Sequence, residues 1–262
     1  MHNKRYGEEM KKVLWLSANK FGLELLKECI TIGIKVEGII TLKDSSKTIM
    51  YDGIGQERWN ETGKKYDIPV YYIDNINNET ELIKQIAADV IIMCGWRQII
   101  SNEVIALPKK GIIGFHPTLL PKGRGPAPII NTIMKGEKES GITMFYVADG
   151  LDNGDIIGQE KFSIDKNDHA SEVYEKAIDA AKKLIRINMP LIVEDKEQRT
   201  AQISADATIF DKPRLAGNEI DIEKDDIDTM FRKIKALSKP YNGAYIIKDG
   251  KKLIIWRAEL AD

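Results

Sequence analysis

A histidine at position 116 closes the short apolar run Ile112-Ile113-Gly114-Phe115 and opens the loop Pro117-Thr118-Leu119-Leu120-Pro121-Lys122-Gly123-Arg124-Gly125-Pro126-Ala127-Pro128. Prolines and glycines at that density forbid ordinary helix or sheet for about a dozen residues. Imidazole is the side chain that exchanges a proton nearest neutral pH, so His116 at a strand end is a candidate proton carrier; the alternative is an ordinary core or surface histidine. A second segment, Ala148-Asp149-Gly150-Leu151-Asp152-Asn153-Gly154-Asp155, crowds three carboxylates between glycines. Such a segment is a turn bonded to its own backbone, or a loop from which one aspartate reaches His116 and orients its ring. A calcium loop would need a different ligand spacing and a closing glutamate.

Cationic and aromatic groups surround these two segments. Lys122 and Arg124, beside the histidine, suit a phosphate or pyrophosphate, or are solvated loop charge. Ser17, Asn19 and Lys20 follow the first apolar run at an expected helix N-terminus, an anion-binding position by its dipole and free amides, where Asn19 also suits a cap. Tyr51, Trp59 and Tyr241 are candidates to stack on a nucleotide base or to pack internally.

The elements that must position these groups alternate between strand and helix. Val13–Ser17, Val36–Leu42, Pro69–Ile73, Asp89–Cys94 and the Ile112 run read as strands, the fourth nearly all apolar as a doubly covered parallel strand must be. Helical spacing falls over Phe21–Ile30, about Gly55–Tyr66, Glu79–Ala87 and Asn102–Leu107, which predicts an α/β sheet with right-handed crossovers. After the loop come a helix over Ala127–Met134, strands Gly141–Ala148 and Ile156–Phe162, and a helix over about Ala170–Val193. Residues 194–212 are polar and irregular, as suits a segment wrapping back over the main domain. Asp225–Leu237 reads as a helix, and Ala244–Ile247 with Lys252–Trp256 as a hairpin about Lys248-Asp249-Gly250-Lys251. The expected division is a main domain over 1–200 and a small α+β module over 201–262.

Composition narrows the function classes. Among 262 residues, Lys+Arg 39 against Asp+Glu 40 gives a formal net charge of -1. Such a chain has no general field toward nucleic acid or an anionic membrane, although a local basic patch is compatible with it. Cys29 and Cys94 stand far apart in apolar contexts and match no metal spacing, so buried reduced thiols and no metal are expected. No signal-peptide pattern and no apolar run of about 18 residues is present, which suggests a cytoplasmic protein without a membrane partner. Trp256 and the Ile254-Ile255 pair bury against the chain's own core or against a second copy in a homodimer.

The pair HPTLLPKGRGPAP and GLDNGDII, in this order and separation, resembles the folate-dependent formyltransferases over roughly residues 11–200: methionyl-tRNA, glycinamide ribonucleotide and sugar-nucleotide N-formyltransferases. The segments ATIFDKPR and PYNGAYIIKDGKKLIIW look like the tail of the sugar N-formyltransferases. This resemblance implies a Rossmann-like, mostly parallel sheet and 10-formyltetrahydrofolate as formyl donor. It further implies an acceptor amine that attacks the formyl carbon, His116 managing the amine's proton or donating to the oxyanion, and Asp152 holding the histidine and ordered water. The donor's pterin would lie between Trp96-Arg97-Gln98-Ile99 and the stretch from Val147 through Asp149, Gly150 and Leu151 to Asp152; Trp96 stacks there or simply packs.

One position departs from the family pattern, which has asparagine two residues before the histidine as an oxyanion donor. Here it is Gly114. Three readings follow: an inactive folate-binding relative, another donor such as Gln98 or backbone amides near His116, or a branch that binds its substrates differently. The variant G-x-H-P pattern resembles a branch of sugar formyltransferases that includes those of pseudaminic-acid-type pathways, and formylation domains of peptide synthetases. For the acceptor, a nucleotide-linked amino-dideoxy sugar fits the tail and the charge balance better than tRNA. The alternatives are a methionyl-tRNA formyltransferase-like enzyme and hydrolysis of the folate with water in place of the amine.

Overall fold

The computed structural model describes residues 10–44, 53–211 and 215–261. Its strands are β1 (Val13–Leu16), β2 (Val36–Leu42), β3 (Val70–Ile73), β4 (Val90–Met93), β5 (Ile112–His116), β6 (Glu139–Tyr146) and β7 (Ile156–Ser163), joined in one seven-stranded sheet of order β3-β2-β1-β4-β5-β6-β7. The first five run parallel, and β6 and β7 continue antiparallel. Strand order reverses between β1 and β4, so a crevice opens outside their carboxyl ends, where such sheets bind ligands.

Burial explains why these segments became strands. Every residue of β1 is buried, and β4 is buried except at Met93. Helices α1 (Lys20–Thr31) and α6 (Ala170–Val193) cover one face of the sheet, where Trp15, Leu25, Ile92, Ile113 and Ile185 share a core. On the other face Leu14, Leu16, Ile40, Ile91 and Ile112 form a second cluster with Val104 of the short helix α4 (Asn102–Ile105). Helices α2 (Gln56–Tyr66) and α3 (Thr80–Ile86) complete the crossovers. Cys29 and Cys94 are free and buried, and burial pushes the Cys29 thiol up to about 12.

Beyond α6 the chain returns to the sheet before forming its last elements. Helix α5 (Pro128–Met134) packs against α7 (Ile227–Leu237), and strands β8 (Ala244–Lys248) and β9 (Lys251–Ile255) form a separate antiparallel pair. The last helix begins at Ile227, later than its apolar spacing predicts, because the Asp226 side chain accepts the Thr229 N–H at 2.7 Å and caps it. Asp249 and Gly250 both take positive φ, 49° and 71°, the geometry of a two-residue hairpin turn.

A buried ionic cluster fixes where the returning segment leaves α6. Glu197, with 4% of its side chain exposed, accepts from Lys110 Nζ at 3.0 Å, Tyr146 Oη at 2.7 Å and Arg199 at 3.0 Å. Burial alone would raise its carboxyl, but these three donors outweigh it and hold Glu197 below its ordinary value of 4.5. Glu197→Ala leaves Lys110 paired with the exposed Asp195 and removes the buried acceptor of Tyr146 and Arg199, and is expected to cost about 1 to 3 kcal/mol of unfolding free energy at neutral pH, measured by urea denaturation. A carboxyl lowered in the folded state stabilises above its unfolded value and ceases to as pH falls through the folded one. The gap between wild type and variant should therefore close progressively below about pH 4.5.

Candidate functional site

His116 is the last residue of β5 and opens the cleft at the carboxyl ends of the strands. Its side chain is 8% exposed, and Nε2 lies 2.8 Å from the carbonyl oxygen of Gly123. A carbonyl only accepts, so Nε2 carries a proton and in the neutral ring Nδ1 carries the lone pair. Nδ1 faces Oδ2 of Asp152 at 3.6 Å. The same Oδ2 accepts the backbone N–H of Gly125 at 2.9 Å. Asp152 itself sits at φ 46°, a left-handed conformation that an L-residue holds only when its surroundings enforce it.

The loop geometry depends on two glycines. Gly123 has φ 72°, and a Cβ there would lie 2.7 Å from the Phe210 ring and 2.9 Å from Thr118. Gly125, at φ 103°, would place a Cβ 3.2 Å from the Phe210 carbonyl oxygen. The returning segment therefore lies directly against the His116 loop. Thr208 Oγ1 accepts the Gly123 N–H at 2.8 Å, and Arg124 exchanges backbone hydrogen bonds with Thr208 and Phe210.

The cleft has a volume of ≈ 1380 Å³. His116, Asp152, Asn19, Trp96 and Arg97 line it beside an apolar wall of Met93, Phe115, Phe145, Ile129 and Ile130. Asn218, Leu237, Tyr241 and Asn242 bring the C-terminal segment to its other side. Phe21 packs edge to face on both Phe115 and Tyr174, with centroids 6.3 and 6.2 Å away, and these three rings line the cleft together.

Several expected site residues lie elsewhere. Arg124 does not line the cleft: its Nε and Nη2 donate to Gln202 Oε1 at 3.0 and 2.6 Å. Lys122 is exposed outside it, Lys20 pairs with Glu175 at the surface, and Ser17 is fully buried beneath α1. Gln98 is engaged in a turn, accepting from Ile76 N at 3.0 Å and donating to Asp74 O at 2.7 Å, which removes its amide from the oxyanion role. Ile99, Asp149, Gly150 and Leu151 are exposed outside the cleft lining, and Val147 packs beside Gly114. Trp59 is wholly buried in the core, so it offers no face to a base, while Tyr51 lies outside the described residues.

Gly114 has a structural partner that periodicity alone does not reveal. It pairs directly across the sheet with Phe145, and a Cβ on Gly114 would come within 3.2 Å of that ring and 3.3 Å of Val147. A side chain at Gly114 would thus need the Phe145 ring and Val147 to give by a few tenths of an ångström. Gly114→Asn is expected to lower stability by about 1 to 3 kcal/mol through overpacking. Trimming the ring in Gly114→Asn/Phe145→Ala should remove that clash, so a double-mutant cycle by thermal melting should give strongly non-additive values.

Residues 12–187 match the formyl transferase family, and the chain belongs to it. It is 34% identical over 200 residues to the methionyl-tRNA formyltransferase of Staphylococcus aureus (strain MW2), covering 76% of this chain and 64% of that protein. Its fold is shared with a 4-N formyltransferase from Francisella tularensis at a TM-score of 0.74 and 23% identity, over 97% of this chain and 99% of that one. It is shared also with WlaRD, a sugar 3N-formyl transferase solved with dTDP and 5-N-formyl-THF, at a TM-score of 0.64 and 18% identity, over 94% and 85%.

Proposed function

We propose that this protein transfers a formyl group from 10-formyltetrahydrofolate to the amine of a nucleotide-linked amino sugar. The observation that carries the reading is one cleft in which His116 and Asp152 meet and which exceeds the ~300–1,000 Å³ of a typical single-ligand pocket. Room for two substrates is what group transfer between a donor and an acceptor requires.

The donor's fit rests on the wall at Met93, Trp96, Phe115 and Phe145, an apolar and aromatic surface suited to a flat heterocycle. Trp96 adds a buried indole N–H with no partner among the described residues. Bound there, 10-formyltetrahydrofolate supplies an activated formyl carbon. The remaining chemistry belongs to the chain's own groups. Nδ1 of His116 accepts the proton that the acceptor amine loses as it bonds to the formyl carbon, because Nε2 is already committed to Gly123 O, and would return it to the folate nitrogen as that nitrogen's bond to the formyl carbon breaks. Between the two transfers the ring faces the Asp152 carboxylate with both nitrogens protonated, and Gly125 N–H keeps that carboxylate in place.

Asn218, Tyr241 and Asn242 support a sugar as the acceptor, since amide and phenol groups match a ring bearing hydroxyls. Arg97, the one Lys or Arg among the described lining residues, suits the phosphates of a nucleotide. The fold neighbour solved with dTDP is a sugar formyl transferase. The sequence likeness to methionyl-tRNA formyltransferase keeps initiator tRNA as the second acceptor class, against which the net charge of -1 argues.

The test is to incubate the protein and 10-formyltetrahydrofolate with a panel of amino-sugar nucleotides or with charged initiator tRNA, and to follow tetrahydrofolate release. Formylation of an amino-sugar nucleotide is expected. Formylation of tRNA alone, or folate hydrolysis at the same rate without acceptor, overturns the assignment. In the active pairing His116→Ala should reduce kcat by roughly 100- to 10,000-fold.

A further inference from the structure

The polar segment between α6 and α7 carries no residue pattern with a chemistry of its own beyond the family-like ATIFDKPR stretch, yet its hydrogen bonds converge on the backbone of the two loops that hold the proposed reacting side chains. Gln202 Nε2 donates to the carbonyl oxygens of Asp152 and Gly154 at 2.9 and 2.8 Å. Its own Oε1 is held by the two guanidinium contacts from Arg124. At the other end, Thr208 Oγ1 accepts the Gly123 N–H, and the carbonyl of that same residue accepts from His116 Nε2 at 2.8 Å. Thr208 N donates to Pro121 O at 3.2 Å, so the segment grips the loop on both sides of Gly123.

We propose that residues 202–208 form a positioning clamp in which Thr208 sets the tautomer and orientation of His116 and Gln202 sets the Asp152 loop. This inference rests on the formyl-transfer reading of that pair. Arg124 thereby acts as a positioning residue for Gln202, and the arginine beside the histidine serves the loop instead of a phosphate. One amide holds both the carbonyl of the left-handed Asp152 and that of Gly154, which restrains the aspartate as a reacting pair needs. Displacement of such a pair by about 1 Å costs as much as 100-fold in rate.

The experiment compares Thr208→Val, Thr208→Ser and Gln202→Ala in the full chain, each checked for an unchanged fold by circular dichroism. With 15N-labelled histidine, the imidazole shifts report the tautomer of His116, assigned against His116→Ala among the three histidines of the chain. Wild type and Thr208→Ser should show the Nε2–H form, and Thr208→Val a mixture of tautomers. A folded Thr208→Val with the wild-type spectrum overturns the clamp. Turnover is read with 10-formyltetrahydrofolate and a dTDP-linked 4-amino-4,6-dideoxyhexose. Thr208→Val and Gln202→Ala should each lower kcat by roughly 10-fold or more while KM for the folate stays within about twofold, and Thr208→Ser should restore kcat. Unchanged kcat in both damaging variants overturns the clamp even where His116→Ala is inactive. Full activity of His116→Ala overturns instead the assignment of the pair itself.

Discussion

The site depends on the peptide of Gly123. Its carbonyl commits one nitrogen of His116, and its N–H is committed to Thr208. Only a residue without a side chain fits there, since a Cβ would drive into the Phe210 ring and Thr118, and φ lies in the left-handed region. Two residues on, Gly125 repeats the device: its N–H holds the Asp152 carboxylate and its α-carbon lies against the Phe210 backbone. Two glycine peptides in one loop thus connect His116 and Asp152 to one returning stretch of polypeptide. The proline-rich composition around them keeps the loop from joining the sheet, so these peptide groups are free to make those contacts.

The sheet supplies the rest by placing β1, β4 and β5 side by side with their carboxyl ends at one edge. Asn19 and Trp96 follow β1 and β4, His116 ends β5, and all three line the cleft beside the switch point of strand order. The C-terminal segment closes the cleft from the opposite side through Asn218, Tyr241 and Asn242. In the proposed reaction the sheet end serves the donor and the proton transfer, and the C-terminal wall serves the acceptor. Differences in acceptor among relatives would then lie in the wall.

The fold was legible wherever burial is dictated by a short repeat. Doubly covered strands must be apolar throughout, and the long helix from Ala170 to Val193 has the 3.6-residue pattern that its burial demands. His116 and Asp152 were legible because a resemblance joined two motifs that spacing alone left separate. Charge and sequence proximity to a histidine do not determine direction: Arg124 turns to Gln202, which lies 78 residues away. Gln202 lies in a polar, aperiodic stretch, and Thr208 in the family-like ATIFDKPR segment; the contacts of both are long-range, so neither composition nor spacing indicates them. Phe145 had one readable signal, an aromatic residue set opposite a glycine, but only once the register of β5 and β6 is known.

The most direct test of the account is a crystal structure of the protein with 5-formyltetrahydrofolate, a stable relative of the proposed donor. The pterin is expected against Trp96 and Phe145 and the formyl-bearing end of the folate beside Nδ1 of His116, with Nε2 still on the Gly123 carbonyl. A folate bound outside the cleft, or one whose formyl group contacts Nε2 after that bond has broken, would contradict it.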